Sequence, residues 1–210
     1  RPFYGSVLKH LEAHTDFHTE GVDLTGYEPP EAHFSIYLDN PAENIISCTA
    51  YARYGEETFS LATPISCEDG FRDAAMENKI LTAIQTYFQP AAVSGNEDSP
   101  VADADFIISH DDQAAFLFLE QGLPHFYELA EVFISSNMKR IRILSAPKTA
   151  VGVSVSKGLL EIDIQSDSLP YDELAGILNS YRRRQKYYKL KSGEFLKLEN
   201  NSLSVLSELA

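Results

Sequence analysis

Six cations fall within ten residues, Arg182, Arg183, Arg184, Lys186, Lys189 and Lys191, and Tyr181, Tyr187 and Tyr188 are interleaved with them. Guanidinium and ammonium groups neutralise phosphates, and tyrosine rings stack on bases, so this segment points toward nucleic acid. The same residues also have a purely structural use. Consecutive arginines closing a helix fan out over about 200° and meet its negative pole. A two-residue turn at Ser192-Gly193 would put Lys189 and Lys191 on one hairpin face with Leu196 and leave them half buried.

His10, His14 and His18 recur every fourth residue and would line one face of a helix, a spacing compatible with metal binding. Glu12 is not adjacent to the first histidine, so the HExxH arrangement of metalloproteases is absent. With Glu12, Asp16 and Glu20 alongside, a solvated surface is the simpler reading, and no metal is assigned. None of the eleven glycines precedes a lysine and no GxGxxG occurs, which excludes a P-loop. No GxSxG elbow occurs either, and Cys48 and Cys67 stand apart without a CxxC pair. Cys48 occupies a core-compatible strand position, as a buried thiol would. Asp111-Asp112 is better explained as a helix start than as a catalytic carboxylate pair. No catalytic residue, cofactor or metal ligand follows from the sequence, and an enzyme with an unrecognised carboxylate or histidine site is the weakest of the functional readings.

The elements that must position the basic segment are legible from period. His33 to Leu38 alternates, with Phe34, Ile36 and Leu38 on one face and His33, Ser35 and Tyr37 on the other, as in a half-buried strand. Ile45 to Tyr54 is a second strand, and Gly55-Glu56-Glu57 turns into a third near Thr58 to Leu61. Met76, Ile80, Ala83, Ile84 and Tyr87 carry helical spacing across Arg72 to Phe88. Ala91 to Ala104 reads as a solvated loop or insertion, and Phe106 to Ile108 as a short strand. Ser109, with Asp112 three residues on, starts a helix running to about Gln121, where Gly122 and Pro124 are expected to interrupt it. A short helix, Pro124 to Ala130, and a strand, Val132 to Ser135, follow. Arg140 to Leu144 is another strand. Turning at Lys157-Gly158 pairs Val155 with Leu160, Val153 with Ile162 and Val151 with Ile164. Pro170 opens a helix with Leu174, Ile177, Leu178 and Tyr181 as its stripe. A second hairpin, Tyr187 to Lys191 with Glu194 to Leu198, precedes a closing helix through Leu203, Leu206 and Leu209. A further helix is expected over residues 3–18.

The pattern predicts an α+β fold of antiparallel strands and hairpins packed with several amphipathic helices. With 44% hydrophobic and 23% charged residues, 210 residues suffice for a real core. No apolar run reaches the ~18 residues of a membrane-spanning helix, and no start resembles a signal peptide, so the cytoplasm is the expected location. The net charge of −14 is uneven: residues 1–138 carry 23 acidic and 5 basic side chains, whereas residues 139–210 carry 8 and 12. The acidic part repels phosphate at long range and the basic end tolerates it. The chain starts without methionine and stops within an expected helix, as an excised piece of a larger protein would.

Several stretches together resemble the bacterial helicase-associated domain that precedes the motor in Swi/Snf-type ATPases. The nearest is Leu159 to Leu198, where "GLLEIDIQS" leads to "DELAGILNSYRRRQKYYKLKSGEFLKL". This is similar to the family's hairpin, helix, Tyr-Arg with a basic run, paired tyrosines and Lys-x-Gly-x-Phe-Leu turn. "GLPHFYELAEVFIS" with "RIRI", and "AYARYGEETFSL" followed by "RDAAMENKIL", resemble the family's earlier segments. The likeness spans residues 33–210, and Ala91 to Ala104 is less typical of it.

The resemblance implies a multidomain parent, with a zinc-binding SWIM module commonly ahead and a two-lobed DNA-dependent ATPase after Ala210. It carries no catalytic residues across. The expected organisation is an N-terminal helix and linker over 1–32, an acidic portion of the helicase-associated domain over 33–138, and its hairpin-helix-hairpin portion over 139–210. The implied role is a non-catalytic accessory or regulatory domain whose partner is the ATPase motor of the same polypeptide. DNA is an additional expected partner at Arg182 to Lys191, and no membrane is involved. The alternative is a dedicated nucleic-acid-binding module using that same segment.

Overall fold

The structure is a computed structural model that describes residues 31–64, 72–91, 101, 103–145, 150–156, 159–165, 170 and 172–198. For residues 150–156 and 159–165 it describes the backbone alone. The expected helices over 3–18 and 203–209, the histidines at 10, 14 and 18, Cys67 and most of the acidic loop lie outside these residues.

The fold is α+β, as expected. Its main sheet is built on β1 (Ala32–Ala42) and β2 (Ile45–Tyr54), antiparallel neighbours joined by a turn at Glu43-Asn44. Asn44 takes φ +60°, a left-handed conformation that asparagine tolerates better than most residues. β3 (Glu57–Ser60) folds back on β2 through Gly55-Glu56, with Gly55 at φ +61°. β5 (Phe106–Ser109) pairs with the other end of β2 and carries the two-residue strand β4 (Gln89–Pro90). β6 (Glu131–Ile134) lies parallel to β1 and closes the order β4-β5-β2-β1-β6.

Alternation decides which face is buried. Ile36 and Leu38 of β1, with Ile46, Cys48, Ala50, Ala52 and Tyr54 of β2, point into the core. Burial pushes the Cys48 thiol pKa well up, the state of an unreactive core thiol. Helix α1 (Ala74–Gln85) covers this face with Ile80, Ala83 and Ile84, and Asp73 caps it by accepting the Met76 N–H at 3.1 Å.

Helix α2 (Asp112–Leu117) is capped by Asp111, which accepts the Ala114 N–H at 2.9 Å. The cap therefore lies two residues beyond Ser109, and Asp112 sits in the first turn. The interruption expected at Gly122 does not occur. A π-helical turn (Phe118–Gly122) carries α2 into α3 (Leu123–Leu129). A proline inside an α-helix strikes the carbonyl four residues back; the wider π turn opens the ladder just ahead of Pro124. Gly122 serves packing instead, since a Cβ there would stand 2.7 Å from Phe118 Cδ2 and 2.9 Å from Tyr87 Cε2.

Beyond a short 3-10 turn (Met138–Arg140), β7 is only Ile143–Leu144, shorter than the strand expected over Arg140 to Leu144. β8 (Ala150–Ser156) and β9 (Leu159–Gln165) pair in the predicted register, Val155 with Leu160 and Val151 with Ile164. Helix α4 (Leu174–Arg182) follows a turn in which the Glu173 N–H donates to the Pro170 carbonyl. β10 (Tyr187–Lys189) and β11 (Phe195–Lys197) complete a small sheet, β11 running parallel to β7. Ile177, Leu178, Leu190, Leu196 and Leu198 form a second core cluster, while Phe195 belongs to the main one. Among the described residues no helix is long and apolar enough to cross a membrane.

Candidate nucleic-acid interface

Helix α4 buries Ile177 and Leu178 and packs Leu174 and Tyr181 against them, so its last turn carries the arginines outward. The helix closes where the Arg184 N–H donates to the Tyr181 carbonyl at 2.8 Å and the Gln185 N–H to Ser180 at 3.1 Å. This paired closure needs a left-handed residue just past the helix, normally glycine, and here Arg184 fills it at φ +57°. Arg182, Arg183, Arg184 and Lys186 are all exposed. Arg183, Arg184 and Lys186 form no ion pair among the described residues.

The hairpin that follows differs from the expected register by one residue. The Leu190 N–H donates to the Glu194 carbonyl at 2.8 Å and the Gly193 N–H to the Leu190 carbonyl at 2.9 Å. The loop is thus Lys191-Ser192-Gly193, with Gly193 at φ +91°, rather than two residues. A one-residue slip moves every side chain to the opposite face. Lys189 stands opposite Phe195, not Leu196, and Tyr188 takes the place across from Leu196.

That slip turns Lys189 toward the acidic body. Its Nζ donates to Asp112 Oδ1 at 2.5 Å and also to Asn44 Oδ1, and it lies 5.7 Å from the Phe195 ring centroid. The Asn44 carbonyl accepts the His110 N–H at 2.8 Å, which ties the turn before β2 to the start of α2. Lys191 Nζ donates to Asp172 Oδ2 at 2.8 Å. That hydrogen bond and charge hold the Asp172 carboxyl below its ordinary pKa and the Lys191 ammonium above its own. The Lys191 N–H donates to the buried Glu173 carboxylate at 3.1 and 3.3 Å.

The tyrosines are packing groups. Tyr187 stacks on Phe116 with ring centroids 4.5 Å apart and planes 20° off parallel. Tyr188 crosses Gly176 so closely that a Cβ there would stand 2.7 Å from its hydroxyl. Burial raises the Tyr188 pKa and the neighbouring Glu173 carboxylate adds to the rise; for Tyr187 burial leads, followed by Asp112 and Asp111. The predicted segment therefore divides. Arg182, Arg183, Arg184 and Lys186 form an exposed cationic helix end suited to phosphate, while Lys189 and Lys191 hold carboxylates of the same chain.

A cleft of about 650 Å³ lies where the β1–β2 turn, the start of α2 and the β10–β11 hairpin meet. Asn44, Asp112, Glu173 and Lys189 line it, and the lysine already has its partners. Among the described residues no buried side-chain nitrogen or oxygen lacks a partner, and no three His, Cys, Asp or Glu side chains gather as a metal site.

Sequence reading passed over one surface. Tyr37 of β1 and Phe133 of β6 meet on the open face of the sheet, rings stacked at 4.8 Å, with Tyr51 edge-on to Tyr37 at 5.9 Å. Tyr37 falls at an outward position of an alternating strand, which is a readable signal. Its pairing with Phe133 is set by the parallel register of β1 and β6 and is not readable.

The family described as bacterial SNF2 helicase associated matches residues 1–210 of this chain. No curated protein and no solved structure matches the chain.

Proposed function

The chain belongs to the bacterial SNF2 helicase-associated family, and from that premise we propose that it is a non-catalytic regulatory domain of a Swi/Snf-type DNA-dependent ATPase. It positions or restrains the motor of the same polypeptide and works in the bacterial cytoplasm. The observation that carries this reading is the family match across the whole chain. An acidic body over 33–138, joined to a basic end over 139–210, gives it a physical basis. The acidic body competes with DNA for basic motor surface, and the cationic end of α4 approaches phosphate. Adding the chain in trans to the isolated motor is expected to change the DNA-stimulated ATPase rate. An unchanged rate across a saturating titration overturns the regulatory reading.

A second reading, a dedicated nucleic-acid-binding module, draws on the exposure of Arg183, Arg184 and Lys186 without ion pairs among the described residues. Binding to duplex DNA measured across salt concentrations tests it. Contacts by Arg182, Arg183, Arg184 and Lys186 give a log–log slope of about −3 to −4, at roughly −0.9 for each phosphate. Replacing the three arginines by alanine should flatten it, and no binding at low salt removes this reading.

A further inference from the structure

We propose that the open face of the main sheet, at Tyr37, Tyr51 and Phe133, is a docking surface for an arginine-bearing segment of a protein partner. The inference goes beyond the regulatory reading and does not depend on it. Tyr37 and Phe133 are 44% and 42% exposed, high values for large rings at strand positions. Their planes lie 12° from parallel, and Tyr51 stands at 72° to Tyr37, so flat and edge-on rings border one hollow. The hollow measures about 360 Å³ and also has Glu131 and Arg53 on its rim.

Aromatic faces attract cations through their quadrupole, and the planar guanidinium both stacks on a ring and pairs with a carboxylate in a two-pronged fork. Glu131 precedes Phe133 by two residues on β6 and therefore shares its face. Charge selects between a cationic peptide and a nucleobase. Residues 1–138 carry 23 acidic and 5 basic side chains, a field that draws polycations and repels a phosphate backbone. Arg53 stands toward the far end of the hollow, across the sheet from His33 and Thr58. Among the described residues β6 is also the outermost strand on its side of the sheet, and its outer edge can pair with an extended segment.

The test uses the 210-residue chain in calorimetric and NMR titrations with an arginine-rich peptide, its lysine counterpart and a single-stranded oligonucleotide. The arginine peptide is expected to bind more tightly than the lysine peptide and to shift the ring resonances of Tyr37, Tyr51 and Phe133. Tyr37→Ala and Phe133→Lys should each weaken it about tenfold. Glu131→Gln, which leaves the rings in place, should weaken it severalfold, and circular dichroism confirms that each variant is folded. Four results would overturn the proposal: arginine-peptide binding indifferent to these substitutions, the oligonucleotide shifting those rings in its place, self-association lost in Phe133→Lys, or Overhauser contacts from the rings to residues 1–30 of the same chain.

Discussion

Lys189 reaches Asp112, 77 positions earlier in the sequence, and holds its carboxylate at 2.5 Å. A lysine that composition would assign to DNA is thereby engaged by the acidic body, and the small C-terminal sheet is fastened to the start of α2. Lys197 makes a comparable contact with Glu120 at 2.7 Å.

Asp112→Ala should remove the charged partner of Lys189 and leave it the neutral Asn44 Oδ1. Both side chains keep some solvent contact, so the loss of stability is expected to be small, at most about 1 kcal/mol in urea unfolding. If the basic end meets DNA, affinity should rise at low salt and the log–log salt slope should steepen by about one. An unaltered slope would show that Lys189 is out of reach of phosphate even when released.

Arg72 and Glu77 form a buried ion pair at the start of α1. Their side chains are 3% and 4% exposed and meet at 2.6 Å; Tyr54 Oη donates to the same carboxylate at 2.6 Å and accepts the Asp73 N–H at 2.8 Å. The guanidinium also lies 4.4 Å from the Phe59 ring centroid. Glu77→Ala removes the buried carboxylate that both Arg72 and Tyr54 Oη contact and is expected to cost about 3–5 kcal/mol. Tyr54→Phe removes one hydroxyl and should cost about 1–3 kcal/mol. Chemical denaturation of both variants checks the order.

Arg184→Gly should separate stability from binding. Glycine relieves the left-handed strain at φ +57°, and the expected gain is up to about 1 kcal/mol despite a looser unfolded chain. The same change removes an exposed cation, so if the basic end meets DNA the affinity should fall. A thermal midpoint that falls would mean that the arginine side chain holds the helix end itself.

Alkaline pH should unfold the domain before its tyrosines finish ionising. Burial raises the Tyr54 hydroxyl pKa well above its ordinary value of about 10, and the Glu77 hydrogen bond adds to the rise. A raised folded pKa means that the native state keeps a proton the unfolded chain releases. Stability is therefore intact below about pH 10 and declines as pH climbs past it, with Cys48 pulling the same way from a lower starting value. Urea midpoints taken from about pH 8 to about pH 11 should hold until about pH 9 and then fall, less steeply in Tyr54→Phe.

Period and punctuation carried much of the fold. The β8–β9 register followed from pairing Val151 with Ile164, Val153 with Ile162 and Val155 with Leu160 about the expected Lys157-Gly158 turn, because a one-residue slip would set apolar positions across from polar ones. The α4 stripe of Leu174, Ile177, Leu178 and Tyr181 was legible for the same reason. The β10–β11 register was not, because mixed Lys, Tyr and Leu fit either face and the choice lay with a three-residue loop ending at Gly193. Gly122 and Pro124 read as a helix stop because a single sequence does not show the π turn that accommodates them.

What the amino-acid sequence determined by itself was the alternation of strands and helices, the acidic body and basic end, and the run of cations from Arg182 to Lys191. Those are local properties, set by neighbours a few residues apart. Only the tertiary structure decided that Lys189 faces Asp112, that Tyr187 lies on Phe116, and that Tyr37 meets Phe133 on an open sheet. Each of these depends on strand order and register between distant segments. Chain entropy and core packing settle such choices for the molecule as a whole, and no short stretch of residues encodes them.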